Sequence, residues 1–176
     1  MTGIIEMKED TIMKIVSACL VGVKCRYDQQ SAWHPNIDGI IQFESVVPVC
    51  PEQLGGLPTP RNPAEIVGGD GVDVLDGNAK VIDNQGHDVT QEFIDGAYRV
   101  LDLAQTFRAS TAILKQNSPS CGSKLIYDGS FSGSKKKGVG VTVALLLRSG
   151  LKVMSEEDDY SLLALTIDLE AGKFHS

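Results

Sequence analysis

Along the chain, short runs of β-branched and apolar residues alternate with longer stretches in which apolar positions recur every three or four residues. That is the pattern of a parallel sheet covered by helices. Residues 14–18 predict a first strand, and a polar loop through Arg26, Tyr27 and Asp28 leads to a short helix near 36–43. Residues 46–49 read as a second buried strand, which ends at Cys50. The segment 51–71 holds Pro58, Pro60 and Pro63 with Gly55, Gly56, Gly68 and Gly69, so it reads as an ordered loop of the length that tends to carry function. Two apolar runs, 72–75 and 79–82, flank Asp76-Gly77-Asn78 and predict a hairpin with Asp-Gly turn chemistry.

The clearest helix runs over 90–107, with Thr90 as its N-cap and Phe93, Ile94, Ala97, Val100, Leu101 and Ala104 at helical spacing. A third strand is expected at 111–114, then a loop over 116–138, a helix over 139–148, a fourth strand at 151–154 and a closing helix over 158–169. No internal repeat interrupts this order. The expected architecture is a single Rossmann-like α/β domain over 14–157, mostly parallel sheet flanked by helices, with a small β-hairpin excursion. An N-terminal extension, 1–13, precedes it, and a C-terminal helix and tail, 158–176, follow.

A chain of 176 residues that is 42% hydrophobic and 22% charged is long enough for one domain with a proper core. Its longest unbroken apolar stretch, 143–147, is far short of the ~20 residues that span a bilayer as a helix. Residues 1–13 carry Glu6, Glu9 and Asp10 and lack the basic start and apolar centre of an export signal, so a cytoplasmic location is expected. Sixteen basic against 23 acidic residues give a net charge of −7, which opposes nonspecific binding to nucleic acid or an anionic membrane. Small molecules are the expected partners, and the chemistry to look for lies in the four cysteines. In a reducing compartment these are thiols, metal ligands or nucleophiles rather than a disulfide framework.

Cys19 follows the first expected strand, Cys50 the second, and Cys121 lies in the loop after the third. In an open parallel sheet all three loops emerge at the carboxyl edge, where ligand sites form beside a change in strand order. Three converging thiolates suit a soft metal or an iron–sulfur cluster and leave one coordination position open to substrate. The paired C-x-x-C knuckles of a zinc ribbon are missing. The plain alternative is that each cysteine is a small buried apolar side chain, and Cys25, which breaks the pattern, is read that way. A metal-free cysteine hydrolase would need a histidine base. Of His34, His87 and His175, only His34 falls in a candidate site loop. A noncatalytic module that stores or senses a metal or cluster would use the same cysteines.

Several segments resemble the thiouracil desulfidase family: Val16-Ser17-Ala18-Cys19-Leu20, Cys25-Arg26-Tyr27-Asp28, the long Val49-Cys50-Pro51-Glu52-Gln53-Leu54-Gly55-Gly56-Leu57-Pro58-Thr59-Pro60-Arg61, and Ser118-Pro119-Ser120-Cys121-Gly122 with Tyr127-Asp128-Gly129. The match runs in order from about Lys14 to Glu157, and the Cys-Pro-Glu motif makes it specific. The resemblance implies a [4Fe-4S] cluster held by Cys19, Cys50 and Cys121, with Cys25 at a position that varies in the family. It implies hydrolytic loss of sulfur, as sulfide, from a thiolated pyrimidine (thiouracil or a thiouridine nucleotide), with iron as a Lewis acid.

Such a reaction needs a group that handles protons, and Glu52, two residues after a ligand, is the candidate. Its plain alternatives are a helix cap or an ion pair with Arg61. Ser118 is placed to hydrogen-bond substrate or relay a proton, or else is a turn residue ahead of Pro119. Arg26, Asp28 and Glu65 are weaker candidates. Ser132, Ser134, Lys135, Lys136 and Lys137 precede a helix and would hold a phosphate at its N-terminus if the substrate is a nucleotide, although charge runs are more often solvated surface.

Overall fold

The computed structural model describes residues 13–160. Four strands, β1 (Lys14–Ser17), β2 (Val46–Val49), β5 (Thr111–Leu114) and β8 (Lys152–Ser155), form one sheet in the order β2-β1-β5-β8. All three pairings are parallel. Their carboxyl ends therefore share one edge, and the chain reverses its direction of growth across the sheet between β1 and β5. Pro48 sits in β2, an edge strand, where one ladder donor can be spared.

Side chains alternate across this sheet with the period of two that a strand imposes. Ile15, Ala112 and Leu114 enter the larger core, while Val16, Ile113 and Met154 enter the smaller one. Ile37, from α1 (Pro35–Phe43), closes the smaller core. The larger core is closed by α3 (Gly71–Leu75), α4 (Thr90–Thr106) and α5 (Val141–Arg148) through Val74, Phe93, Val100 and Leu145. The result is the expected α/β layering. Among the described residues no helix is long and apolar enough to cross a membrane.

The expected hairpin over 72–82 is not formed. Its first run is α3, because Asp70 builds a capping box: its carboxylate accepts from the Val72 amide at 2.8 Å, and the Asp73 carboxylate accepts from the Asp70 amide at 2.9 Å. The second run becomes β4 (Lys80–Asp83), paired antiparallel with β3 (Ala64–Val67) from the segment read as loop. A second small antiparallel pair, β6 (Leu125–Tyr127) with β7 (Lys135–Lys137), lies in the stretch expected to be loop. Thr90 is the first helical residue of α4 rather than its N-cap, which is Val89. The Thr90 hydroxyl instead accepts from the Val81 amide at 3.0 Å, tying α4 to β4. Of the expected closing helix, residues 158–160 are not helical and the rest lies outside the described residues, as does the N-terminal extension up to residue 12.

Candidate active site

Each of the three flagged cysteines leaves a strand at the carboxyl edge. Cys19 lies in the 3-10 turn Ala18–Val21 directly after β1. Cys50 follows β2 and is the N-cap residue of the short helix α2 (Pro51–Leu54). Cys121 lies on the turn after β5. All three line a single cavity of about 460 Å³, together with Glu52 and Ser118, a volume suited to a small-molecule ligand.

The turn carrying Cys121 is held from two sides. Ser118 Oγ accepts from the backbone amides of Ser120 and Cys121, both at 3.1 Å. From the other side the start of α5 docks onto it: the Val141 amide donates to Pro119 O at 2.9 Å, and the Thr142 amide to Ser120 O at 3.0 Å. The buried hydroxyls of Ser120 and Thr142 meet at 2.9 Å. This approach demands a glycine at 140, because a Cβ there would lie 2.8 Å from the Cys121 nitrogen and closer still to the Ser120 carbonyl.

Those contacts remove the anion site considered at this helix. Its first amides are taken by carbonyls, and none of the three lysines lines the cavity. Lys136 donates to Gly69 O at 2.8 Å, and Lys135 lies over the Tyr127 ring at 5.6 Å from its centroid.

Cys25, read from the sequence as a small buried side chain, is buried and also reaches the cavity. It is 1% exposed and lies within hydrogen-bonding reach of the sulfurs of both Cys19 and Cys50. The Cys50 thiol also approaches the Cys25 carbonyl oxygen at 3.7 Å. Burial and neighbouring thiols oppose ionisation at Cys25, Cys50 and Cys121. The hydrogen bond with Cys19 pushes Cys25 up to about 11, opposed by the one with Cys50. The bond with Cys25, reinforced by burial, raises Cys50. Burial pushes Cys121 up to about 12, although Ser17 hydrogen-bonds its thiol. As free thiols these three stay protonated at neutral pH, and ionising them calls for a cation.

Among the described residues no histidine stands by to activate them. Neither His34 nor His87 lines the cavity, and His87 instead bonds Asp83 at 2.9 Å. Nor do any three Cys, His, Asp or Glu side chains among the described residues gather where one metal ion could sit.

Glu52 realises one of its plain alternatives: Arg61 Nε donates to its Oε2 at 2.6 Å, with the two side chains only 18% and 6% exposed. Among the described residues Oε1 has no partner and so stays open to the cavity's chemistry. Arg61 also donates from Nη1 to the carbonyl of Cys25 at 3.0 Å, so one guanidinium connects the loops carrying Glu52 and Cys25. Glu65 is a scaffold: its carboxylate accepts from the amides of Gly129 at 2.9 Å and Phe131 at 3.1 Å, presenting Phe131 to the cavity. Arg26 and Asp28 pair with each other at 3.4 Å, partly exposed. Tyr27, Tyr127 and Phe131 supply aromatic lining.

Comparison with known proteins agrees with this geometry. The model of the 2-thiouracil desulfurase family matches residues 15–158. The uncharacterized protein YbbK of Bacillus subtilis (strain 168) is 49% identical over 146 residues, which cover 83% of this chain and 97% of that one. A solved structure of TudS, a [4Fe-4S]-dependent thiouracil desulfidase, superposes with a TM-score of 0.76 at 42% identity, covering 92% of this chain and 99% of its own.

Proposed function

The chain belongs to the 2-thiouracil desulfurase family, and from that premise we propose that it is a [4Fe-4S]-dependent desulfidase that hydrolyses a thiolated pyrimidine, base or nucleotide, to the oxo-pyrimidine and hydrogen sulfide. The observation that carries this reading is the delivery of Cys19, Cys50 and Cys121 by three neighbouring parallel strands to the wall of one cavity. The donor set fits the group: thiols are the ligands of an iron–sulfur cluster, and all three line the one cavity.

Cys19, Cys50 and Cys121 would hold the cluster. When bound, it supplies a Lewis acid that polarises the carbon–sulfur bond of the substrate. The protein's own residues supply the rest. Tyr27, Tyr127 and Phe131 offer flat apolar faces to a planar ring. Glu52, oriented through Oε2 by Arg61, keeps Oε1 to take a proton from the attacking water and return it to the departing sulfur. Water contributes the oxygen and two protons leave with the sulfide, so no electrons are transferred overall. Ser118 has both backbone amides on its oxygen lone pairs and retains its hydroxyl proton to donate to the substrate.

The test is anaerobic reconstitution followed by iron, acid-labile sulfide and sulfide-release assays on the wild type and on C19A, C50A and C121A. The wild type should bind four irons and release sulfide from a thiouracil, and each variant should lose most of both. Cluster binding without release from any thiolated pyrimidine would make the protein a cluster-binding module instead. Release by metal-free protein would make it a cysteine hydrolase.

A further inference from the structure

Three buried polar side-chain atoms among the described residues have no hydrogen-bond partner, and only one of them, Asn117 Oδ1, belongs to a residue lining the cavity. A shielded carbonyl oxygen without a donor is costly, and such groups in a native fold call for an explanation. The backbone gives a second sign: Asn117 holds φ at 64°, in the left-handed region, which asparagine tolerates better than most residues but which still carries strain at a functional edge.

Several polar groups that line the cavity are already engaged. Gln116 Oε1 accepts from the amides of Ser123 and Lys124 at 2.9 and 3.2 Å. Lys115 is paired with Glu156, Arg61 with Glu52, and Glu65 with two backbone amides. Asn117 adjoins Ser118, and its Oδ1 has no such engagement among the described residues; its primary amide offers an acceptor and a donor side by side.

Resting on the desulfidase reading, we infer that the Asn117 amide is the pyrimidine-recognition group, its oxygen accepting the ring N3–H and its nitrogen donating to the neighbouring ring oxygen. Ring N3–H lies between the C2 and C4 substituents, so the pairing serves a thiopyrimidine with sulfur at either position. It leaves the other heteroatom for the reaction.

The test uses cluster-loaded full-length protein and the variants Asn117→Gly and Asn117→Asp. Glycine adopts a positive φ freely, so the first removes the amide without straining the turn; the second keeps the side-chain shape but loses the N–H donor. In both, iron content should match the wild type. The dissociation constant for uracil and the KM for thiouracil should rise roughly tenfold, the loss expected for a paired buried contact, with kcat changed far less. The wild type should disfavour the N3-methylated thiouracil by a similar factor, and Asn117→Gly should treat the two alike. Unchanged uracil affinity in both variants, or discrimination against N3-methylation surviving in Asn117→Gly, would overturn the assignment. If the wild type releases no sulfide, the desulfidase reading falls, while the uracil titration still decides the role of Asn117.

Discussion

Helices α2 and α4 cross through two glycines, and the same substitution made there and elsewhere should have opposite signs. At Gly96 in α4, an added Cβ would land on the Pro51 carbonyl, 2.9 Å from its carbon and nearer to its oxygen, and 3.2 Å from the Gly55 nitrogen. At Gly55 it would lie 2.8 Å from the carbonyl carbon of Glu92, again nearer to the oxygen. Every atom met is backbone, so no side chain can swing aside. Gly96→Ala gains about 0.8–1 kcal/mol of helix propensity. Against this stands overpacking of a tight contact, and with only backbone to yield the upper part of the usual range applies, about 2–3 kcal/mol. The balance is a destabilisation of about 1–2 kcal/mol, or a Tm lower by about 2–8 °C for a domain of this size. Because α2 begins at Pro51, beside Cys50 and Glu52, the displaced backbone should also lower iron content after reconstitution. Gly39, mid-helix in α1, has open space around its missing Cβ, so Gly39→Ala should keep the propensity gain and raise Tm. Thermal melts followed by circular dichroism on both variants decide the matter. A Gly96→Ala protein as stable as Gly39→Ala, with full iron content, would refute the close crossing.

Asp83 gives a pH prediction. Burial opposes its ionisation, but hydrogen bonds from Asn62, His87 and the amides of His87 and Gln85 outweigh it and hold the carboxyl well below the usual range. A depressed folded-state value stabilises the protein above the unfolded-state pKa and is lost as pH falls through the folded one. The Tm difference between wild type and Asp83→Asn should therefore be steady from pH 5 to 8 and shrink below about 3.9, the ordinary aspartate value; a gap that widens on acidification would contradict the sign. Ser118→Ala strands the amides of Ser120 and Cys121 and should cost about 1 kcal/mol, as loss of a capping hydroxyl does, seen as a lower Tm and faster loss of iron from the loaded protein. Unchanged Tm and iron retention with lost turnover would confine Ser118 to the chemistry.

What the sequence made legible follows from how local the signal was. The strands bearing Cys19, Cys50 and Cys121 are short apolar runs with clear ends, and their parallel pairing placed those ends on one edge. The run 72–75 was ambiguous because four residues, three of them apolar, carry too little periodicity to separate a strand from a helical turn. The Asp70 and Asp73 capping box was the written cue that decides it. Strand β7 is three lysines, with no apolar alternation to read, since the pair it forms with β6 leaves Lys135 and Lys137 exposed. Cys25 stands in a motif with Arg26, Tyr27 and Asp28, but its nearness to Cys19 and Cys50 comes from contacts across loops, which spacing along the chain does not encode. Glu52 was visible through its place in the motif, and its partner Arg61 closes the same motif.

The groups that line the cavity are held in different ways. Cys19 and Cys50 follow directly on β1 and β2, where the register Lys14↔Val46 sets their relative height, while Cys121 lies beyond the end of β5 on a turn braced by Ser118 and by the start of α5. A slip of one residue in that pairing of β1 with β2 would turn every side chain of the slipped strand to the other face. Glu52, in the single turn of α2, needs an added brace to hold its side chain in position. Arg61 provides one, since its Nε fixes Glu52 and its Nη1 holds the carbonyls of Cys25 at 3.0 Å and Pro58 at 3.2 Å. With its side chain 6% exposed, this guanidinium works in a low-dielectric setting where charge-assisted bonds are strong and removal of one partner is costly. A lysine could match the charge of Arg61 but not its several fixed donors, so the loop after β1 and the start of α2 hold together only with the planar group in place.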